Sequence, residues 1–136
     1  QAAIGLVQLA KLPAFVAKRR ENARRLTSIL AKTEKLQLPR EPKGRQHSWY
    51  LYTVRLKNAT ENKRNRIVEE LRKKDIGAEV YYPDPVHLMP YYRDSFGRRK
   101  LPETEKAAKQ VFSLPIHPSV TEEQVDYIGE ALLHPL

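Results

Sequence analysis

The sequence predicts an α+β domain, in which a small three-stranded, mainly antiparallel sheet packs with helices. Three observations carry that prediction. Apolar residues recur at three- and four-residue steps in separate stretches, the period of a helix buried along one stripe. Between them lie short runs rich in aromatic and β-branched residues, which read as strands. The order that results, α-α-β-α-β-α-β-α, mixes both element types within 136 residues, a length that fits one domain.

The elements follow in chain order. Residues 2–32 are helical in pattern, with Phe15, Val16, Ala23, Leu26, Ile29 and Leu30 on one stripe. Pro13 cannot donate to the carbonyl four residues back, so this stretch reads as two helices or one bent helix. The run from Leu36 to Gly44 contains Pro39 and Pro42 and reads as a loop. A strand is expected over about 48–56, where Trp49-Tyr50-Leu51-Tyr52-Thr53-Val54-Arg55-Leu56 would put Tyr50, Tyr52, Val54 and Leu56 on one face. A helix follows over about 63–74, burying Ile67, Val68 and Leu71.

A second strand is expected over about 78–82, ended by Pro83, and then a long loop over 83–100. A helix over about 102–110 opens with Pro102, and a short strand over 111–114 is closed by Pro115. Thr121-Glu122-Glu123-Gln124 is a capping box: the threonine oxygen accepts from the Gln124 amide while the glutamine side chain reaches back. The last helix is expected over about 121–133.

Composition narrows the chemistry. There is no cysteine, which excludes disulfides, thiolate metal sites and a cysteine nucleophile. That fits a reducing compartment, and the chain is expected to be cytoplasmic. No apolar run approaches the roughly 18 residues of a membrane span. Gln1 is not a natural start, so the chain reads as a piece of something longer. The net charge of +9 favours anionic partners. However, most basic residues alternate with acids or sit at helical spacing, as on a solvated surface.

No Gly-rich phosphate loop is present, and the histidines His47, His87, His117 and His134 lack metal-ligand spacing. The informative segment is Ala78-Glu79-Val80-Tyr81-Tyr82-Pro83-Asp84-Pro85-Val86-His87, a strand running into a proline-restricted turn. Tyr81, Tyr82 and His87 combine apolar rings with hydrogen-bonding groups, which suits a sugar or a nucleotide base. The residues alone leave a second reading equally open, with Tyr81 in the core and His87 bonded to a loop carbonyl. Trp49 is read as core or interface rather than as a stacking platform. His117, between Pro115 and Pro118, is expected to meet a backbone group through its imidazole.

Five segments in register resemble the DegT/DnrJ/EryC1/StrS aminotransferases. They are Gln1-Ala2-Ala3-Ile4-Gly5-Leu6-Val7-Gln8-Leu9 with Lys18-Arg19-Arg20-Glu21-Asn22-Ala23, Trp49-Tyr50-Leu51-Tyr52, the Tyr82-Pro83-x-Pro85-x-His87 turn, Phe112-Ser113-Leu114-Pro115-Ile116-His117-Pro118, and Thr121-Glu122-Glu123-Gln124. The resemblance covers essentially the whole chain. It implies the C-terminal small domain of a fold type I enzyme that uses pyridoxal phosphate. Such an enzyme moves an amino group from glutamate or glutamine onto a nucleotide-linked keto-sugar, usually as a homodimer.

The resemblance also implies that the cofactor lysine lies in an N-terminal large domain upstream of this chain. No catalytic or cofactor-binding residue is therefore expected here, and the chain alone is expected to be inactive. Substrate-binding roles fall, by resemblance, on Tyr82 and His87 first and Tyr81 next. The position of Asp75 is often glycine in relatives, where a left-handed backbone is convenient. Two other readings stay open: a basic nucleic-acid-binding module and a stand-alone regulatory or assembly domain.

Overall fold

A computed structural model describes residues 1–136. Helix α1 runs unbroken over Ala2–Leu30 with Pro13 inside it. The proline forfeits one bond of the ladder, a cost on the order of 3 kcal/mol. Good helix formers on both sides, Ala10, Lys11 and Leu12 before it and Ala14, Ala17 and Lys18 after it, keep the helix going. Burial begins only in its second half, at Asn22, Ala23, Leu26 and Leu30. The first half leaves Ile4, Leu6, Val7 and Leu9 exposed.

The sheet is three-stranded and antiparallel, in the order β1 (Leu36–Gln37), β2 (Tyr52–Leu56), β3 (Val111–Leu114). Leu36 faces Leu56, Tyr52 faces Leu114, and Val54 faces Phe112. Tyr52, Val54 and Leu56 are fully buried, as period-two alternation requires.

Two strand expectations need correction. The third strand is Leu36–Gln37, in the stretch expected to be a loop, and not residues 78–82. Pro39 and Pro42 lie beyond the paired residues, so they end β1 without preventing it. Residues 78–82 contribute a single bridge, Glu79 to Ser113, before the chain leaves β3. The expected strand over 48–56 begins only at Tyr52. Trp49 has φ 51°, and its amide donates to His47 Nδ1 at 2.8 Å, so the backbone turns there. Tyr50 therefore points away from the core.

Helix α2 (Glu61–Lys73) starts two residues earlier than expected, because Thr60 caps it by accepting from the Lys63 amide. It is followed by Asp75 at φ 58°, a left-handed conformation that aspartate tolerates better than most residues. The stretch 83–100 is not a plain loop: a 3-10 turn (Val86–Leu88) precedes a seven-residue helix α3 (Pro90–Phe96). Pro90 occupies the first helical turn, where its missing N–H costs nothing. Helix α4 (Pro102–Ala108) stops two residues short of the expected end, leaving Lys109 and Gln110 to turn into β3. The last helix, α5 (Glu122–Leu133), carries the capping box: Gln124 N to Thr121 Oγ1 at 3.3 Å and Thr121 N to Gln124 Oε1 at 3.0 Å.

The core lies between the sheet and helices α1, α2 and α5. Gly129 lets α5 close on α1, since a Cβ there would fall 2.7 Å from Ile29 Cγ2. Arg25 clamps the same pair of helices, with Nε and Nη2 each 2.6 Å from Asp126 carboxylate oxygens and Nη1 on Glu122. Buried Arg64 on α2 donates from Nη1 to the Ala108 carbonyl at 3.1 Å and the Val111 carbonyl at 3.0 Å. It thereby satisfies an otherwise orphaned carbonyl at the end of α4 and fixes that helix to the start of β3.

Candidate functional site

The segment that carries the candidate residues leaves the core at a pinned point. Arg72 donates to the Ala78 carbonyl at 3.0 Å and to Glu79 Oε2 at 2.6 Å, while Glu79 exchanges backbone bonds of 3.0 and 2.7 Å with Ser113. Beyond Val80 the chain is at the surface. Tyr81 is 50% exposed and Tyr82 66% exposed, with their rings edge-on at 6.2 Å. The peptide bond between them is cis. Pro85 then opens the 3-10 turn that holds His87.

His87 is half-buried, and its Nε2 lies 3.3 Å from Glu105 Oε1 on α4. The same oxygen accepts from the Leu101 amide at 3.0 Å. That amide first, and His87 second, hold the Glu105 carboxyl below its ordinary range. An ionised carboxylate only accepts, so Nε2 of His87 must be the donor. In the neutral ring this leaves Nδ1 as a free acceptor. His87 therefore meets a side-chain carboxylate, not the loop carbonyl of the alternative reading.

Two clefts flank the segment. One, of about 380 Å³, is lined by Val86, His87, Tyr92, Phe96, Leu101 and Thr104 among others, and its walls are mainly apolar. The second, of about 220 Å³, is lined by Arg19, Tyr50, Tyr81, Ser113, Pro115 and His117 among others. They share no lining residue. The structure thus places His87 in one and Tyr81 in the other, with Tyr82 on the surface and in neither. The proline-bounded turn spreads the three residues instead of converging them.

The other singled-out residues sort as follows. Trp49 is core: its ring stacks on Tyr52 at 5.9 Å and meets His47 at 4.4 Å. Tyr52 bonds Thr27 Oγ1 at 2.8 Å, and its burial pushes the phenol pKa up. His117 departs from expectation. Its carbonyl, not its imidazole, is engaged, accepting from Asn22 Nδ2 at 3.3 Å, and the ring is exposed. Sequence reasoning missed Glu105, Arg19 and Tyr50. Glu105 lies one residue past the capping-box position of α4, so no motif marks it, and only the structure shows its carboxylate reaching back to the Leu101 amide.

A sequence profile of the DegT/DnrJ/EryC1/StrS aminotransferase family matches residues 1–133. The chain belongs to that family. It is 36% identical over 135 residues to a pleiotropic regulatory protein of Geobacillus stearothermophilus, spanning 97% of this chain and 35% of that protein. It is 34% identical over 130 residues to the dTDP-4-dehydro-2,3,6-trideoxy-D-glucose 4-aminotransferase of Saccharopolyspora spinosa, spanning 95% of this chain and 32% of the enzyme. Among solved structures, the fold matches the aminotransferase TlmJ of Streptoalloteichus hindustanus with a TM-score of 0.88 and 30% identity, over 98% of this chain and 35% of TlmJ. It matches Helicobacter pylori PseC, an aminotransferase involved in the biosynthesis of pseudoaminic acid, with a TM-score of 0.89 and 27% identity, over 98% of this chain and 36% of PseC. The chain therefore spans about a third of the length of these proteins.

Proposed function

We propose that this chain is the C-terminal domain of a pyridoxal-phosphate-dependent aminotransferase that moves an amino group from glutamate or glutamine to a nucleotide-linked keto-sugar. On this reading it supplies part of the sugar-nucleotide site and of a homodimer interface in a cytoplasmic enzyme of amino-sugar or polysaccharide biosynthesis. The observation that carries the reading is the family match over residues 1–133, together with a relative named for a nucleotide-sugar amination.

The two clefts beside the candidate residues do not by themselves fit the cofactor. Pyridoxal phosphate needs a lysine held against its aldehyde carbon. Neither of the two clefts beside the candidate residues is lined by a lysine. The reading therefore assigns the cofactor to the rest of a longer protein and derives no step through it.

What this chain offers is recognition. Tyr82 presents an exposed phenol that both donates and accepts. His87 is oriented by Glu105 and keeps Nδ1 available to a sugar hydroxyl. Tyr81 adds a second ring and hydroxyl beside Tyr82.

Calorimetric titration of the 136-residue chain with dTDP- and UDP-linked sugars tests this. Saturable binding is expected, with Tyr82→Phe and His87→Ala each weakening it about tenfold, the scale of one lost hydrogen bond to a bound ligand. Mixing the chain with pyridoxal phosphate and borohydride should give no stoichiometric adduct at a single lysine. A specific adduct would sink the assignment of the cofactor elsewhere. Binding of single-stranded nucleic acid that falls steeply with salt, with indifference to nucleotide sugars, would sink the substrate reading in favour of a basic nucleic-acid module. The name of the Geobacillus relative keeps a regulatory role as the second reading. A parent gene that encodes no lysine-bearing upstream domain would favour it.

A further inference from the structure

The second cleft contains donors that nothing in the fold uses. Three consecutive basic residues sit on α1, and their fates differ. Lys18 pairs with Glu21 at 2.9 Å, and Arg20 pairs with Glu41 at 3.4 Å and donates to the His47 carbonyl at 3.3 Å. Arg19 has neither a carboxylate nor a hydrogen-bond partner, although its Nε is buried from solvent. Its guanidinium instead lies over the ring of Tyr50, with Cζ 5.8 Å from the centroid. That contact spends the face of the guanidinium and leaves its N–H edge unspent.

Tyr50, Tyr81 and His117 line the same cleft, and none of their side chains makes a hydrogen bond within the protein. Tyr50 is there because the backbone turns at Trp49 and throws its ring out of the strand face. The cleft's one carboxylate, Glu79, is neutralised by Arg72 at 2.6 Å. Leu51, Leu114 and Ile116 add apolar surface to its lining.

We propose that the cleft between Arg19, Tyr50, Tyr81 and His117 is an oxyanion-binding site for the phosphate or carboxylate of a small ligand. Arg19 supplies the charge and a fork of parallel donors that matches a two-oxygen edge. Tyr81 and His117, which line the same cleft, supply further donors. The site shares only Tyr81 with the proposed nucleotide-sugar wall and stands whether or not that wall binds a sugar.

Side-chain NMR of the chain labelled with nitrogen-15 reads the site directly, with sodium methyl phosphate and sodium acetate as separate probes at constant ionic strength. The Arg19 Nε–H resonance is expected to shift saturably with at least one probe, and the tighter probe identifies phosphate or carboxylate as the preferred group. Arg19→Leu should weaken that binding at least about tenfold, as expected for a charge-assisted hydrogen bond, and Tyr81→Phe by about threefold. Arg20→Leu removes the same formal charge one residue away and should change it less than about twofold, because its partners lie elsewhere. Arg19→Lys keeps the charge without the fork and should also weaken binding, a readout that a purely structural arginine would not give. The proposal is overturned if neither probe shifts Arg19, or if Arg19→Leu and Arg20→Leu lose equally, which would mean diffuse attraction to a basic surface.

Discussion

Two regions of this domain obey different rules. The packed half comprises the second half of α1, the sheet, α2 and α5. There almost every apolar residue at a periodic position is buried, and Arg64 donates from Nη1 to two backbone carbonyls inside. The segment from Tyr81 to Thr104 has no buried residue at all, although it carries Tyr82, Tyr91 and Phe96. Burial fixes the first region, whereas proline placement and a few local bonds fix the second. A core mutation should therefore unfold the domain, while a mutation in the exposed segment should leave the fold and change only what it binds.

The sharpest way to break this contrast is Phe112→Ala. Phe112 is fully buried on β3 opposite Val54, and its loss should cost about 3–5 kcal/mol in urea unfolding. A loss below about 1 kcal/mol would mean that the core is not where the buried apolar residues place it. Next comes Gly129→Val, which pushes a branched side chain against Ile29 and should cost about 2 kcal/mol, read as a lower melting temperature. Thr121→Ala removes the cap of α5 and should cost about 1 kcal/mol.

Acid should act through smaller, exposed groups. Arg25, by hydrogen bond and then by charge, holds the Asp126 carboxyl below its ordinary value. A carboxyl depressed on folding contributes stability above its unfolded pKa, near 4, and loses it as pH falls through the lower folded value. Stability should therefore fall below about pH 4, and Asp126→Asn should flatten that slope without abolishing it, since Glu105 and Glu123 are depressed as well. The smallest expected effect is that of Tyr82→Phe, under about 0.5 kcal/mol, because the hydroxyl makes no bond within the protein. A large loss there would erase the distinction between the two regions.

The same contrast explains what could be read from the sequence. Helices α1, α2, α4 and α5 and the strand at 111–114 are legible because their apolar periods are long or their boundaries carry a cap or proline, as at Thr121 and Pro115, whereas the seven residues of α3 fall in a stretch that reads as loop. Leu36–Gln37 is not legible either, because two paired residues have no period and the prolines behind them point to a loop. Period two puts Tyr50 on the wrong face because it assumes an unbroken strand, and only the bond from the Trp49 amide to His47 reveals the turn. For the site, Tyr81, Tyr82 and His87 could be singled out as chemistry on a restricted turn. That Tyr81 and His87 open into separate clefts depends on long-range packing against α1 and α4, which no local pattern encodes.

Asn22 carries one further consequence. Its amide holds the carbonyls of both His117 and Val120 at 3.3 Å, and it sits a single helical turn beyond Arg19 on the same face of α1. The two sides of the small cleft are thus riveted to one rigid rod. If the domain hinges, or α1 shifts along its axis, Arg19 and the His117 loop travel together and the gap between them keeps its width. Whatever group that gap grips would be carried along as cargo by the moving helix rather than released by it.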